Sequence, residues 1–164
     1  MSAIGNAVSS FTAQNIGAER KDRVVMGLHA ASKMVIVCSV VICFFLEVFS
    51  HSMIMLFLGN EGTQIALFTG IGYLTFMGWF FCFIGFKMAV DGLLRGAGDM
   101  KMFTVANLVN LGIRVIIAVT CAPRFGIAMV WYAVPVGWFA NWVISYAEYR
   151  LSLIHISEPT RLRR

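Results

Sequence analysis

Apolar residues dominate positions 24–149 in stretches as long as a bilayer is thick, and the charged residues gather between them. The longest uncharged run covers residues 62–86. As a helix rising about 1.5 Å per residue, it exceeds the ~30 Å hydrocarbon core of a bilayer. No soluble domain of this size has a core thick enough to hide it. The pattern predicts an all-α integral membrane protein: a polytopic helix bundle with four complete transmembrane helices at about 24–49, 64–94, 102–122 and 125–147. Residues 2–14, with Gly5, Ala7, Ser9 and Ser10, read as the closing turns of a preceding helix whose beginning lies outside the chain.

The second span is too long for its task. As one straight helix it would measure ~46 Å, so its inner end must project or tilt. Gly78, Gly85 and Gly92 recur every seven residues on one face, with Ala89 beside them, and invite close approach of another helix. A second stripe carries Tyr73, Phe76, Phe80, Lys87 and Asp91.

Composition agrees with a membrane solvent. Hydrophobic residues make up 59% and charged ones 13%, about half the usual ~25% charged content of a soluble domain. The net charge of +5 is then a topology signal rather than a nucleic-acid footprint. Arg20, Lys21, Arg23 and Lys33 surround the start of the first span, Arg95 and Lys101 follow the second, and Arg150 follows the last. Residues 49–63 carry no Lys or Arg, and the turn at 122–126 carries Arg124 alone. This alternation suits four antiparallel helices and predicts a multi-pass plasma-membrane protein with its basic loops and both ends of the chain in the cytoplasm.

Residues 151–164 break the pattern. They resemble one reading frame of a transposon-end adapter used in DNA library preparation, and are set aside as a non-native tail. Without them the net charge falls to +3, and the natural ends are expected beyond residues 1 and 150.

Within the spans, each polar residue has a bland and a sharp reading. Lys87 and Asp91, four residues apart, can pair as an interfacial salt bridge with Lys87 snorkelling, or can mark a cavity or ion path. Asn107, Asn110 and Arg114 form a second polar set. Arg114 is placed to snorkel outward, to hydrogen-bond between helices or to touch a substrate. Glu47 is expected at the outer boundary of the first span, and Pro135 should loosen or kink the last helix. Cys38, Cys43, Cys82 and Cys121 lack metal or disulfide spacing and read as small buried hydrophobes. His29 and His51 lie towards opposite faces of the membrane. No P-loop, G-x-S-x-G or H-E-x-x-H occurs, so neither an enzyme, a metal site nor a cofactor is expected.

Two loop motifs carry a resemblance. Gln14-Asn-Ile-Gly17-Ala18 before a basic stretch, and Leu94-Arg95-Gly96-Ala-Gly98-Asp99 two membrane helices later, resemble the MATE multidrug and toxin extrusion family. Arg114 midway along the following helix, then Gly126-Ile-Ala and Trp131-Tyr-Ala-Val-Pro135, look like that family's C-terminal lobe. The resemblance implies a twelve-helix, two-lobe transporter. Residues 1–150 would supply the end of the eighth helix and the ninth to twelfth, and the N-terminal lobe of the same polypeptide would be missing. It also implies efflux of small cationic or amphipathic compounds against Na⁺ or H⁺ across a bacterial inner membrane.

In this frame Gly17, Gly96 and Gly98 are expected to permit tight helix exits, Arg95 to anchor at headgroups, and Gln14 to satisfy backbone groups at its helix end. Tyr73, Phe76, Phe80, Lys87, Asp91, Asn110 and Arg114 are the candidate cavity or coupling residues. Asp91 is the acid that falls within the tenth helix, where some members of the family carry a coupling carboxylate. Two rival readings remain: a related exporter of lipid-linked or polysaccharide precursors, and a membrane assembly subunit that transports nothing.

Overall fold

The computed structural model describes residues 1–59, 63–126 and 128–157, the last six of them by backbone alone. Gly62, at the start of the long uncharged run, Ile127 of the Gly126-Ile-Ala stretch, and tail residues 158–164 lie outside the described residues. The described residues form six helices: α1 (Ser2–Gly17), α2 (Lys21–Leu58), α3 (Gln64–Trp79), α4 (Phe81–Gly96), α5 (Met100–Phe125) and α6 (Ala128–Ser157). Side chains start two of them. The Thr63 hydroxyl accepts the Ala66 N–H (3.3 Å) ahead of α3, and the Asp99 carboxylate accepts the Met102 N–H (3.1 Å) ahead of α5.

Helix α4 is the centre of the bundle and packs on α1, α2 and α6, while α5 lies along α6 and α3 along α2. Val8, Val24, Leu28, Ala31, Ala89, Val90, Leu93 and Tyr149 form the core where α1, α2, α4 and α6 meet. Outside that core the surface is apolar. Phe44 is 69% exposed and Leu56 83%, as lipid-facing side chains should be. Among the described residues, helices α2 and α5 are each long and apolar enough to cross a membrane, and α3 and α4 together are as long and apolar but bent between them. The 30 residues of α6 span ~45 Å, long enough to cross, although Asn141 and its tryptophans dilute the apolar character.

The expected single span at 64–94 is in fact two helices meeting at 51°. Phe80 sits at φ −93°, ψ 4°, and the hydrogen-bond ladder tightens there. The Phe80 N–H bonds Met77 O (3.2 Å) and the Phe83 N–H bonds Phe80 O (3.0 Å), both three-residue steps in place of four. The bend removes the overlength problem. It lets α3 follow α2 while α4 turns inward.

The glycine stripe does what its spacing predicts. A Cβ on Gly78 would lie 3.5 Å from Leu46 of α2, one on Gly85 would strike Val35 of α2, and one on Gly92 would strike the Gly5 carbonyl of α1. Two other expectations change. Helix α2 continues to Leu58, so Glu47 lies about three turns inside it rather than at its end. Helix α6 runs unbroken through Pro135 as far as Ser157, past the expected limit at 147.

Candidate functional site

Helix α4 carries two charges into the interior of the bundle. Lys87 is 6% exposed and Asp91 2%, so both are packed between helices rather than on the outer surface. Its Nζ donates to Asp91 Oδ2 (2.6 Å) on the same helix and to Asn107 Oδ1 (2.9 Å) on α5. The Asn107 amide donates to Asp91 Oδ2 (3.4 Å) and to its own helix at Phe103 O (2.8 Å). From α6 the Ser145 hydroxyl donates to the other carboxylate oxygen, Oδ1 (3.1 Å). Three helices therefore converge on one carboxylate, and both of its oxygens are engaged. A buried ion pair tolerates desolvation only with such extra hydrogen bonds.

The polar column continues along the α5–α6 contact. Asn110 is buried beside Gly137, where a Cβ would strike its Oδ1, and Arg114 lays its Cγ against the same glycine while remaining exposed overall. One turn along α6, Asn141 is fully buried. Neither of its amide atoms finds a partner among the described residues, nor does Asn110 Oδ1. Unpaired amides at this depth cost free energy, and they mark the part of the column with spare hydrogen-bonding capacity.

Tyr73, Phe76 and Phe80 do not share a helix stripe with Lys87 and Asp91, because the bend at Phe80 separates them. Tyr73 and Phe76 open an aromatic ladder on α6 instead, while the Phe80 ring lies between Phe76 and Phe83. Tyr73 meets Trp131 (5.6 Å between centroids), Phe76 meets Tyr132 (4.9 Å), and Phe83 meets Phe139 (5.8 Å). The ladder continues through Trp142 and Tyr146 to Tyr149.

The loop-motif residues act differently from expectation. Arg95 is half-buried and reaches residues of α1 and α5. It donates to Asn6 Oδ1 (3.3 Å) and lies over the Phe103 ring, 5.6 Å from the centroid. Gln14 is exposed, and it is the Asn15 amide that bonds the helix backbone, at Phe11 O (2.7 Å). Gly17 needs no special conformation; the left-handed residue at that exit is Glu19, at φ 58°. Gly98, at φ 80°, does provide the left-handed turn. Gly96 is required by proximity, since a Cβ there would strike Ser9 O of α1.

A protein-family model, MatE, matches residues 1–120. The chain belongs to the MATE family. Members are transporters rather than enzymes, which agrees with the absence of soluble-enzyme motifs in the sequence. Among curated relatives, the "Probable multidrug resistance protein YoeA" of Bacillus subtilis (strain 168) is 25% identical over 151 residues, covering 90% of this chain and 32% of the relative. YpnP of the same organism, similarly named, is 33% identical over 108 residues, or 66% of this chain and 24% of the relative. A solved MATE transporter of the MOP superfamily, in an inward-facing conformation, shares the fold with a TM-score of 0.78 at 20% identity. That match covers 90% of this chain and 33% of the transporter. The chain thus spans about a third of the MATE proteins it matches over most of its length.

Asn107 was visible in the sequence as part of a polar set, but Ser145 and Asn141 were not singled out. Their signal was present. Gly137, Asn141 and Ser145 recur every four residues on an otherwise apolar and aromatic helix, a small-polar stripe of the kind that faces another helix.

Proposed function

We propose that this chain is the greater part of the C-terminal lobe of a secondary active exporter, which expels small cationic or amphipathic compounds as Na⁺ or H⁺ enters. The missing N-terminal lobe completes the transport path, and the two lobes alternate access around a site near the midplane. The basic loops and both ends of the chain lie in the cytoplasm of a bacterial cell.

The observation that carries this reading is the buried Asp91 carboxylate, gripped by α4, α5 and α6 together. A proton or sodium ion reaching it competes with the Lys87 ammonium for the same oxygens. Ion arrival therefore weakens the link between three helices, and ion release restores it. A buried charge is costly unless it is paired, so an ion that displaces Lys87 from Asp91 must itself compensate the carboxylate.

The test uses the complete protein in proteoliposomes with an imposed ion gradient. Asp91→Asn should abolish ion-driven efflux of a cationic dye. It should also lower stability, since an orphaned buried charge costs about 3–5 kcal/mol. The double variant Lys87→Met with Asp91→Asn removes both charges and should recover stability but not coupling. Full ion-driven efflux in the double variant would reduce the cluster to a structural ion pair.

A further inference from the structure

A second feature lies apart from the polar column and concerns the membrane itself. Where the first turns of α2 approach the end of α6, a cavity of about 360 Å³ opens beside α4, within the ~300–1,000 Å³ range of ligand clefts. Its inner wall is apolar: Leu28 of α2, Phe86 and Val90 of α4, and Trp142 of α6. Its outer wall is cationic and hydrogen-bonding: His29 and Arg150, both exposed, with Tyr146 between them. None of the lining residues is acidic.

The vertical order of these groups selects the ligand. Tryptophan and tyrosine concentrate at headgroup depth, and basic residues beside them meet lipid phosphates. Here Trp142, Tyr146 and Tyr149 climb α6 towards Arg150, and Arg20, Lys21 and Arg23 lie at the start of α2. Tyr149 and Arg150 both line the cavity, so the guanidinium stands beside its aromatic wall. Positive groups above and an apolar floor below match a phosphate ester attached to an acyl chain. A basic pocket between membrane helices is the usual place for an acidic headgroup.

We propose that this cavity is a binding site for an anionic phospholipid, its phosphate held by Arg150 and His29 and one acyl chain lying against Phe86, Val90 and Trp142. The site is independent of the efflux reading. Val90 and Asp91 are consecutive on α4 and point about 100° apart, so the lipid would lie beside the face that carries the ion pair.

Native mass spectrometry of the complete protein, released from mixed micelles of phosphatidylglycerol and phosphatidylcholine, tests this. The unaltered protein should retain phosphatidylglycerol in preference to phosphatidylcholine by about tenfold, a difference of ~1.4 kcal/mol. Arg150→Gln should remove most of that preference, and Arg150→Lys should preserve it because the charge remains. Trp142→Leu should lower retention of both lipids. His29→Gln, at an exposed position, supplies a second headgroup variant should Arg150→Gln fail to fold. An unchanged preference in Arg150→Gln and His29→Gln would overturn the proposal. So would displacement of the lipid by glycerol phosphate at equal concentration, which would make the site one for free phosphate.

Discussion

The chain leaves a helix twice through the same backbone turn, with different residues doing the turning. At the end of α1 the Arg20 N–H reaches back to Asn15 O (2.8 Å) and the Glu19 N–H to Ile16 O (3.0 Å). At the end of α4 the Asp99 N–H reaches Leu94 O (3.0 Å) and the Gly98 N–H reaches Arg95 O (3.1 Å). Both are Schellman turns, with the left-handed residue two places after the last helical one. Superimposed, Asn15-Ile-Gly-Ala-Glu-Arg20 and Leu94-Arg-Gly-Ala-Gly-Asp99 share Gly-Ala and then diverge. The first exit places Glu19 in the left-handed region at φ 58°, and the second places Gly98 there at φ 80°. The shared glycines also differ. A Cβ on Gly96 would collide with α1, whereas one on Gly17 would meet nothing within 4 Å. An identical dipeptide in an identical turn is thus held by packing in one place and not in the other.

Substitutions at the four positions should rank accordingly in thermal unfolding of the complete protein in detergent. Gly96→Val should be the most damaging, by about 3 kcal/mol or more, because the obstruction is the Ser9 carbonyl and backbone cannot step aside cheaply. Gly98→Ala should cost about 1–2 kcal/mol, the penalty for a Cβ in the left-handed region. Glu19→Gly should act in the opposite sense and stabilise by about 1 kcal/mol, since it relieves that penalty while adding some unfolded-state freedom. Gly17→Ala should have the smallest effect, a gain of about 0.5 kcal/mol from helix propensity. If Gly17→Ala proved as harmful as Gly96→Ala, α1 would have a close neighbour from the part of the protein beyond these residues, and the contrast between the two exits would disappear.

Much of the fold was legible because lipid makes strong demands on sequence. An uncharged run of membrane length has few alternative explanations, and the Gly78–Gly85–Gly92 repeat marked positions of close helix approach on α3 and α4. The bend at Phe80 was not legible. No proline marks it, and its cause is tertiary: α3 follows α2 while α4 is drawn between α1 and α6. The same bend hid the fate of Tyr73 and Phe76, whose helical spacing to Lys87 was correct along the chain but not in space. The Lys87–Asp91 pair was legible as a pair. Its burial among three helices was not, because Ser145 lies 54 residues away and sequence order does not reveal that contact. The contacts of Arg95 were hidden for a related reason: a basic residue at a helix end points to headgroups by default, and Asn6 and Phe103 belong to other helices.

The four-residue spacing of Lys87 and Asp91 has a consequence for how the protein is made. A chain enters the bilayer from its N-terminal end, and α4 must be accommodated before Asn107 and Ser145 have entered the bilayer beside it. Were its charges to depend on α5 and α6 for compensation, α4 would wait unneutralised in the insertion machinery. Because lysine and aspartate sit one turn apart on the same helix, they can neutralise each other as soon as that turn forms. The helix can enter lipid carrying no net charge from the pair, and the later helices then find a partner already assembled.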